Sequence, residues 1–157
     1  MLENKIEELL LLKFQEEEFQ DVFLIEITIS TQKEVEIILD ADEGLIVEKC
    51  RKISRHVENW LDTEGSLGEE YTLEVSSPGV ARSLMFPRQY PKHIGRTLEV
   101  KDTEGVVSEG VLSSIEDNKL VLSIEEVRKE GKKKIKETII KSIPFDTIKT
   151  AFVKIKF

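Results

Sequence analysis

Tyr71-Thr72-Leu73-Glu74-Val75-Ser76-Ser77-Pro78-Gly79 decides how this chain is divided. Tyr71, Leu73 and Val75 alternate with Thr72, Glu74 and Ser76, the two-residue period of a strand with one face buried. Ser77-Pro78-Gly79 then stops it, because proline fixes its own backbone and glycine opens a turn. Upstream, Ile46, Cys50, Ile53, Val57, Trp60 and Leu61 form the apolar stripe of a helix, closed by Gly65 and Gly68. Before it, Phe23, Ile25, Ile27 and Ile29 predict one strand and Val35, Ile37 and Leu39 another, paired as a hairpin through Thr31-Gln32-Lys33. Leu2, Ile6, Leu9, Leu10 and Phe14 share one face of an opening helix, with Leu11 and Leu12 widening it toward a second contact. Residues 1–77 are therefore expected to form a two-layer domain of order α-β-β-α-β.

Downstream, Pro78, Pro87 and Pro91 supply three of the four prolines, and residues 78–94 read as a stiff interdomain connector. From residue 95 to 157 the pattern is all strand. Thr97 to Lys101, Val111 to Ile115, Leu120 to Ile124, Ile135 to Ile143 and Ile148 to Phe157 are five short strands, with a tight turn at Pro144-Phe145-Asp146. That spacing predicts a five-stranded SH3-like or Sm-like β-barrel and makes the fold class α+β.

The chain of 157 residues, 39% hydrophobic and 34% charged, suits soluble globular domains. No apolar run reaches the ~18 residues of a membrane span, and the acidic amphipathic start lacks the pattern of an export leader. A single cysteine, Cys50, fits a reducing cytoplasm and rules out an internal disulfide or a cysteine-built metal site. The net charge of −8 is uneven: residues 1–91 hold 9 Lys/Arg against 20 Asp/Glu, residues 92–157 hold 14 against 11. An acidic front and a mildly basic back fit a basic partner at one end and an RNA backbone at the other, although charges that only solubilise both halves fit equally well.

No catalytic constellation emerges, and no cofactor is expected. His56 reads as a surface residue and His93 has no second ligand at zinc spacing. Cys50 lies on an apolar stripe, as a core cysteine does. Ser77 has Gly79 two positions after it but Val75 two before, so a hydrolase elbow fails. Gly65-Ser66-Leu67-Gly68 has the spacing of a KH loop, yet Glu64, Glu69 and Glu70 would repel phosphate. Two candidate binding features remain. Lys132, Lys133 and Lys134, with Arg128, Lys129 and Lys136 nearby, form a basic hairpin tip able to neutralise phosphates; a solvated tip explains them as well. Ser76, Ser77, Pro78 and Gly79, followed by Arg82 and Arg88, form a rigid turn with exposed hydroxyls and two arginines, which either recognises a partner or merely ends a strand.

The run from Tyr71 to Gly79, with Arg82 and Leu84 after it, resembles the signature of the ribosome maturation factor RimP family. Val35 to Asp40, Cys50, Ser54, Trp60-Leu61-Asp62, Pro87-Arg88, Tyr90, Ile94-Gly95-Arg96, Pro144-Phe145 and Ile148-Lys149 extend the resemblance over nearly the whole chain from about residue 20. The resemblance implies a cytoplasmic, non-enzymatic factor, expected to be monomeric, that binds immature small (30S) ribosomal subunits and is needed for their maturation. The implied partners are a basic small-subunit ribosomal protein, 16S rRNA, or both: the acidic domain would meet the protein, and Arg82, Arg88 and the basic tip would meet the RNA. Ala81 and Ser83 depart from the family pattern, which has an acidic residue and a proline around the arginine. The lost carboxylate leaves in question a salt bridge of Arg82 within the motif. A general Sm-like RNA-binding protein, which would assemble as a ring, is the alternative reading.

Overall fold

The computed structural model describes residues 1–79 and 82–154. The chain forms two compact units, Met1–Pro78 and Gly79–Phe157. The first runs α1 (Leu2–Lys13), β1 (Val22–Ile29), β2 (Glu34–Ala41), α2 (Val47–Glu64) and β3 (Thr72–Ser76), the order expected. β1 and β2 are an antiparallel hairpin, and β3 lies parallel to β2 on its other side, so β2 is central. A parallel pair needs a crossover, and α2 supplies it. Ile53, Val57 and Leu61 of α2 and Ile6 and Leu10 of α1 are fully buried against Val35, Ile37 and Leu39 of β2. Gly65 ends α2 in the left-handed conformation at φ 82°, its N–H donating to the Leu61 carbonyl, a glycine C-cap. The Tyr71 hydroxyl donates to Asp62 Oδ1 at 2.8 Å and ties the entry of β3 to the last turn of α2.

Three details differ from the sequence expectation. The alternation of β1 breaks: the register shifts between Leu24 and Glu26, so Val22 and Leu24 join the expected Ile27 and Ile29 at the first core, while Phe23 is half-buried and Ile25 is buried outside that cluster. A bulge inserts one residue and exchanges the faces beyond it. Ile38 and Asp40, expected on the outer side of β2, are buried, as befits a strand flanked by neighbours on both edges. Leu11 and Leu12, on the widened face of α1, stay exposed.

The second unit contains β4 (Thr97–Asp102), β5 (Val107–Glu116), β6 (Lys119–Glu130), β7 (Lys133–Pro144) and β8 (Ile148–Val153), an antiparallel sheet in the order β7-β6-β5-β4-β8. Leu98, Val100, Leu112, Leu120, Leu122, Ile143 and Ala151 share one core. Residues from all five strands meet there, and Lys141 Nζ of β7 donates to Ser108 Oγ of β5 at 2.7 Å, so the sheet curls over its inner face. Among the described residues no ladder joins β7 to β8; the curled sheet is open by strand pairing, whereas the sequence predicted a barrel. Nor are all five strands short: β6 and β7 each run 12 residues.

The stretch expected as a connector, 78–94, is not free-standing. Leu84 and Tyr90 belong to the second core, and Gln89 and His93 are buried. Pro87 and Pro91 each open a 3₁₀ turn, Pro87–Gln89 and Pro91–His93, where a missing N–H costs nothing. Leu84 N–H donates to the Ala151 carbonyl at 2.7 Å and Ser83 Oγ accepts the Ala151 N–H at 2.9 Å, which clips this stretch to β8.

Candidate partner-binding surface

The residues picked out by sequence fall in three places. Ser76 ends β3 opposite Ile38, half-buried, while Ser77 is exposed and Pro78 half-buried. Gly79 is exposed at φ 65° with open space where a Cβ would stand, so the left-handed turn itself calls for glycine. Val80 and Ala81 lie outside the described residues, and with Ala81 the departure from the family motif on that side. Arg82 is half-buried and Arg88 is exposed on the first 3₁₀ turn. That turn is fixed by Gln89, whose side-chain oxygen accepts the N–H groups of Met85 at 2.7 Å and Phe86 at 3.0 Å. Sequence reasoning missed Gln89 because nothing local distinguishes a buried glutamine beside an exposed arginine.

Lys132, Lys133 and Lys134 are all exposed at the end of the β6–β7 hairpin, as expected. Lys132 lies in the turn; Lys133 and Lys134 start β7, directly across from Glu130 and Lys129. The pleat sends successive side chains to opposite faces, so the three lysines do not form one patch.

The electrostatics of the two units differ. Met1–Pro78 holds 7 Lys/Arg against 20 Asp/Glu, Gly79–Phe157 holds 16 against 11. In the first unit Lys49 lies 2.7 Å from Asp21, Lys13 3.0 Å from Glu16, and Lys52 pairs with Glu18. These pairs take up three of the unit's seven cations, and the excess of carboxylates leaves it strongly acidic.

Cys50 and His56 are both half-buried on α2. Burial pushes the half-buried Cys50 thiol up, away from the thiolate a nucleophile needs. Burial and then Lys13 push His56 down. Among the described residues no three His, Cys, Asp or Glu side chains stand together as metal ligands, and no helix is long and apolar enough to cross a membrane.

This is an α+β protein of two units, an acidic three-stranded one followed by a curled, antiparallel five-stranded one that carries a basic hairpin. Its relatives are specific. The RimP N-terminal domain family matches residues 12–81. The chain is 40% identical to the ribosome maturation factor RimP of Christiangramia forsetii over the full length of both proteins. It is 36% identical to that of Flavobacterium psychrophilum over 89% of this chain and 90% of the relative, and 33% identical to that of Cytophaga hutchinsonii over 74% of each. The chain belongs to the ribosome maturation factor RimP family.

Proposed function

We propose that this protein is a ribosome maturation factor that acts by binding immature small ribosomal subunits in the cytoplasm, as a monomer and without catalysing a reaction. The observation that carries the reading is the full-length identity of 40% to a protein named ribosome maturation factor RimP. The charge division supports a mechanism. The acidic unit, with 20 carboxylates against 7 cations, is suited to a basic small-subunit ribosomal protein. The second unit, with Arg88 and the basic hairpin exposed, is suited to 16S rRNA; Ser77 and Gly79, exposed beside half-buried Ser76 and Pro78, and the half-buried Arg82 are further candidate contacts. Deleting the gene tests the reading: small-subunit precursors accumulate if it is right, and their unchanged level counts against it. Ring formation on a sizing column is the sign of the Sm-like alternative.

A further inference from the structure

Beyond Ser123, which pairs with Val111, β6 leaves β5, and β6 and β7 continue alone as a two-stranded ribbon. The stretch from Glu125 to the tip projects roughly 20 Å at about 3.4 Å per residue. Strand register sorts its charges. Arg128 lies opposite Ile135, and Glu126 opposite Glu137; Glu130 lies opposite Lys133. These residues continue the inner face that carries Leu120 and Leu122. Arg128 there is bonded to Glu137 at 3.0 Å, and Lys133 faces Glu130, so with Glu126 the inner face holds no uncompensated positive charge.

The outer face is different. Lys129 lies directly opposite Lys134, and Lys136 lies opposite Val127 one step nearer the sheet. Glu125 is the one acid on this side of the ribbon, and none of the three lysines makes an ion pair among the described residues. Two lysines facing each other across a ladder repel. The arrangement holds a concentration of positive charge that the fold does not compensate, and an anion would do so.

We propose that the outer face of this ribbon, through Lys129, Lys134 and Lys136, seats a ribosomal RNA phosphate backbone, while Arg128 and Lys133 on the inner face take no part. The inference rests on the ribosome-maturation reading above and narrows it to one face of one hairpin. Lysines supply mobile point charges suited to phosphates, without the planar fork that selects carboxylates. Residues 124–138 contain no aromatic side chain to stack on bases and no Asn or Gln to read their edges. The contact is therefore with the backbone and independent of sequence.

The test compares two full-length variants with equal loss of charge, Lys134→Gln with Lys136→Gln, and Arg128→Gln with Lys133→Gln. Each binds an in vitro transcript of small-subunit ribosomal RNA over a salt series, with circular dichroism to check folding. Each phosphate contact contributes about 0.7–0.9 to the slope of log affinity against log salt. The outer pair is expected to weaken binding and flatten that slope by about 1.5, and the inner pair to leave both unchanged. Equal effects, no effect, binding to anionic vesicles but not the transcript, or no transcript binding by the unaltered protein overturns the proposal. Pelleting of the unaltered protein with precursor subunits is measured alongside. If it persists when the ribbon result is negative, only the ribbon assignment fails; if it is absent, the maturation reading fails.

Discussion

A Cβ on Gly110 would stand 2.6 Å from the carbonyl oxygen of Ser123, closer than side chain and backbone can approach. It would also lie 2.8 Å from Cγ1 of Ile124. The missing side chain lets β6 close on β5 where their pairing ends and the ribbon departs. Gly110→Ala is expected to destabilise the second unit by about 1–3 kcal/mol through overpacking, with Gly110→Val worse. Faster hydrogen exchange at the Leu98 and Leu112 amides measures it.

Ser83 holds a buried amide. Its hydroxyl accepts the N–H of Ala151, which is fully buried. Ser83→Ala strands that N–H and is expected to cost about 1–3 kcal/mol, whereas Ser83→Thr keeps an acceptor and is expected to cost less. Exchange at the Ala151 amide separates the two. The departure from the family pattern at this position thus has a defined structural partner.

Burial pushes the Tyr90 phenol up to about 12, and burial followed by the Asp62 hydrogen bond does the same for Tyr71. Both are neutral when protonated, so the folded protein holds the proton that an unfolded tyrosine loses near pH 10. The associated stability is present in full below pH about 10 and is lost as pH rises toward 12. Absorbance at the tyrosinate band during alkaline titration is expected to lag behind that of free tyrosine. Tyr71→Phe and Tyr90→Phe each remove one of the delayed steps.

The facing lysines of the ribbon make a stability prediction with the opposite sign to most substitutions. Replacing Lys134 with threonine relieves its repulsion with Lys129 and places a β-branched residue in a strand. The ribbon is expected to gain about 0.2–0.5 kcal/mol, read as slower exchange at the Val127 and Lys136 amides.

Periodicity in the sequence was enough to place the helices, the first hairpin, the strand ending at Ser76 and the five later strands. The core residues Val35, Ile37, Leu39, Ile53, Val57 and Leu61 belong to the apolar stripes, but Ile46 is exposed at the N-cap of α2 and Cys50 and Trp60 are only half-buried. The facing of the first half of β1 was not legible, because a bulge between Leu24 and Glu26 leaves no mark where Val22 to Ile25 are all apolar, whereas Ile27 and Ile29 face the core as their alternation predicts. The prolines around Arg88 suggested a connector, yet Leu84 and Tyr90 pack into the second core, a long-range match with β8 that local spacing cannot reveal. The basic tip was visible as a cluster of lysines. Its division between two faces needed the register, since the partner of each lysine lies on the other strand.

Selective binding to immature small subunits is put to the test by co-sedimentation of the full-length protein with purified precursor and mature small subunits at low and raised salt. Pelleting with precursors over mature subunits is expected, weakened as salt screens the contacts. Equal pelleting with both, or with neither, would contradict it.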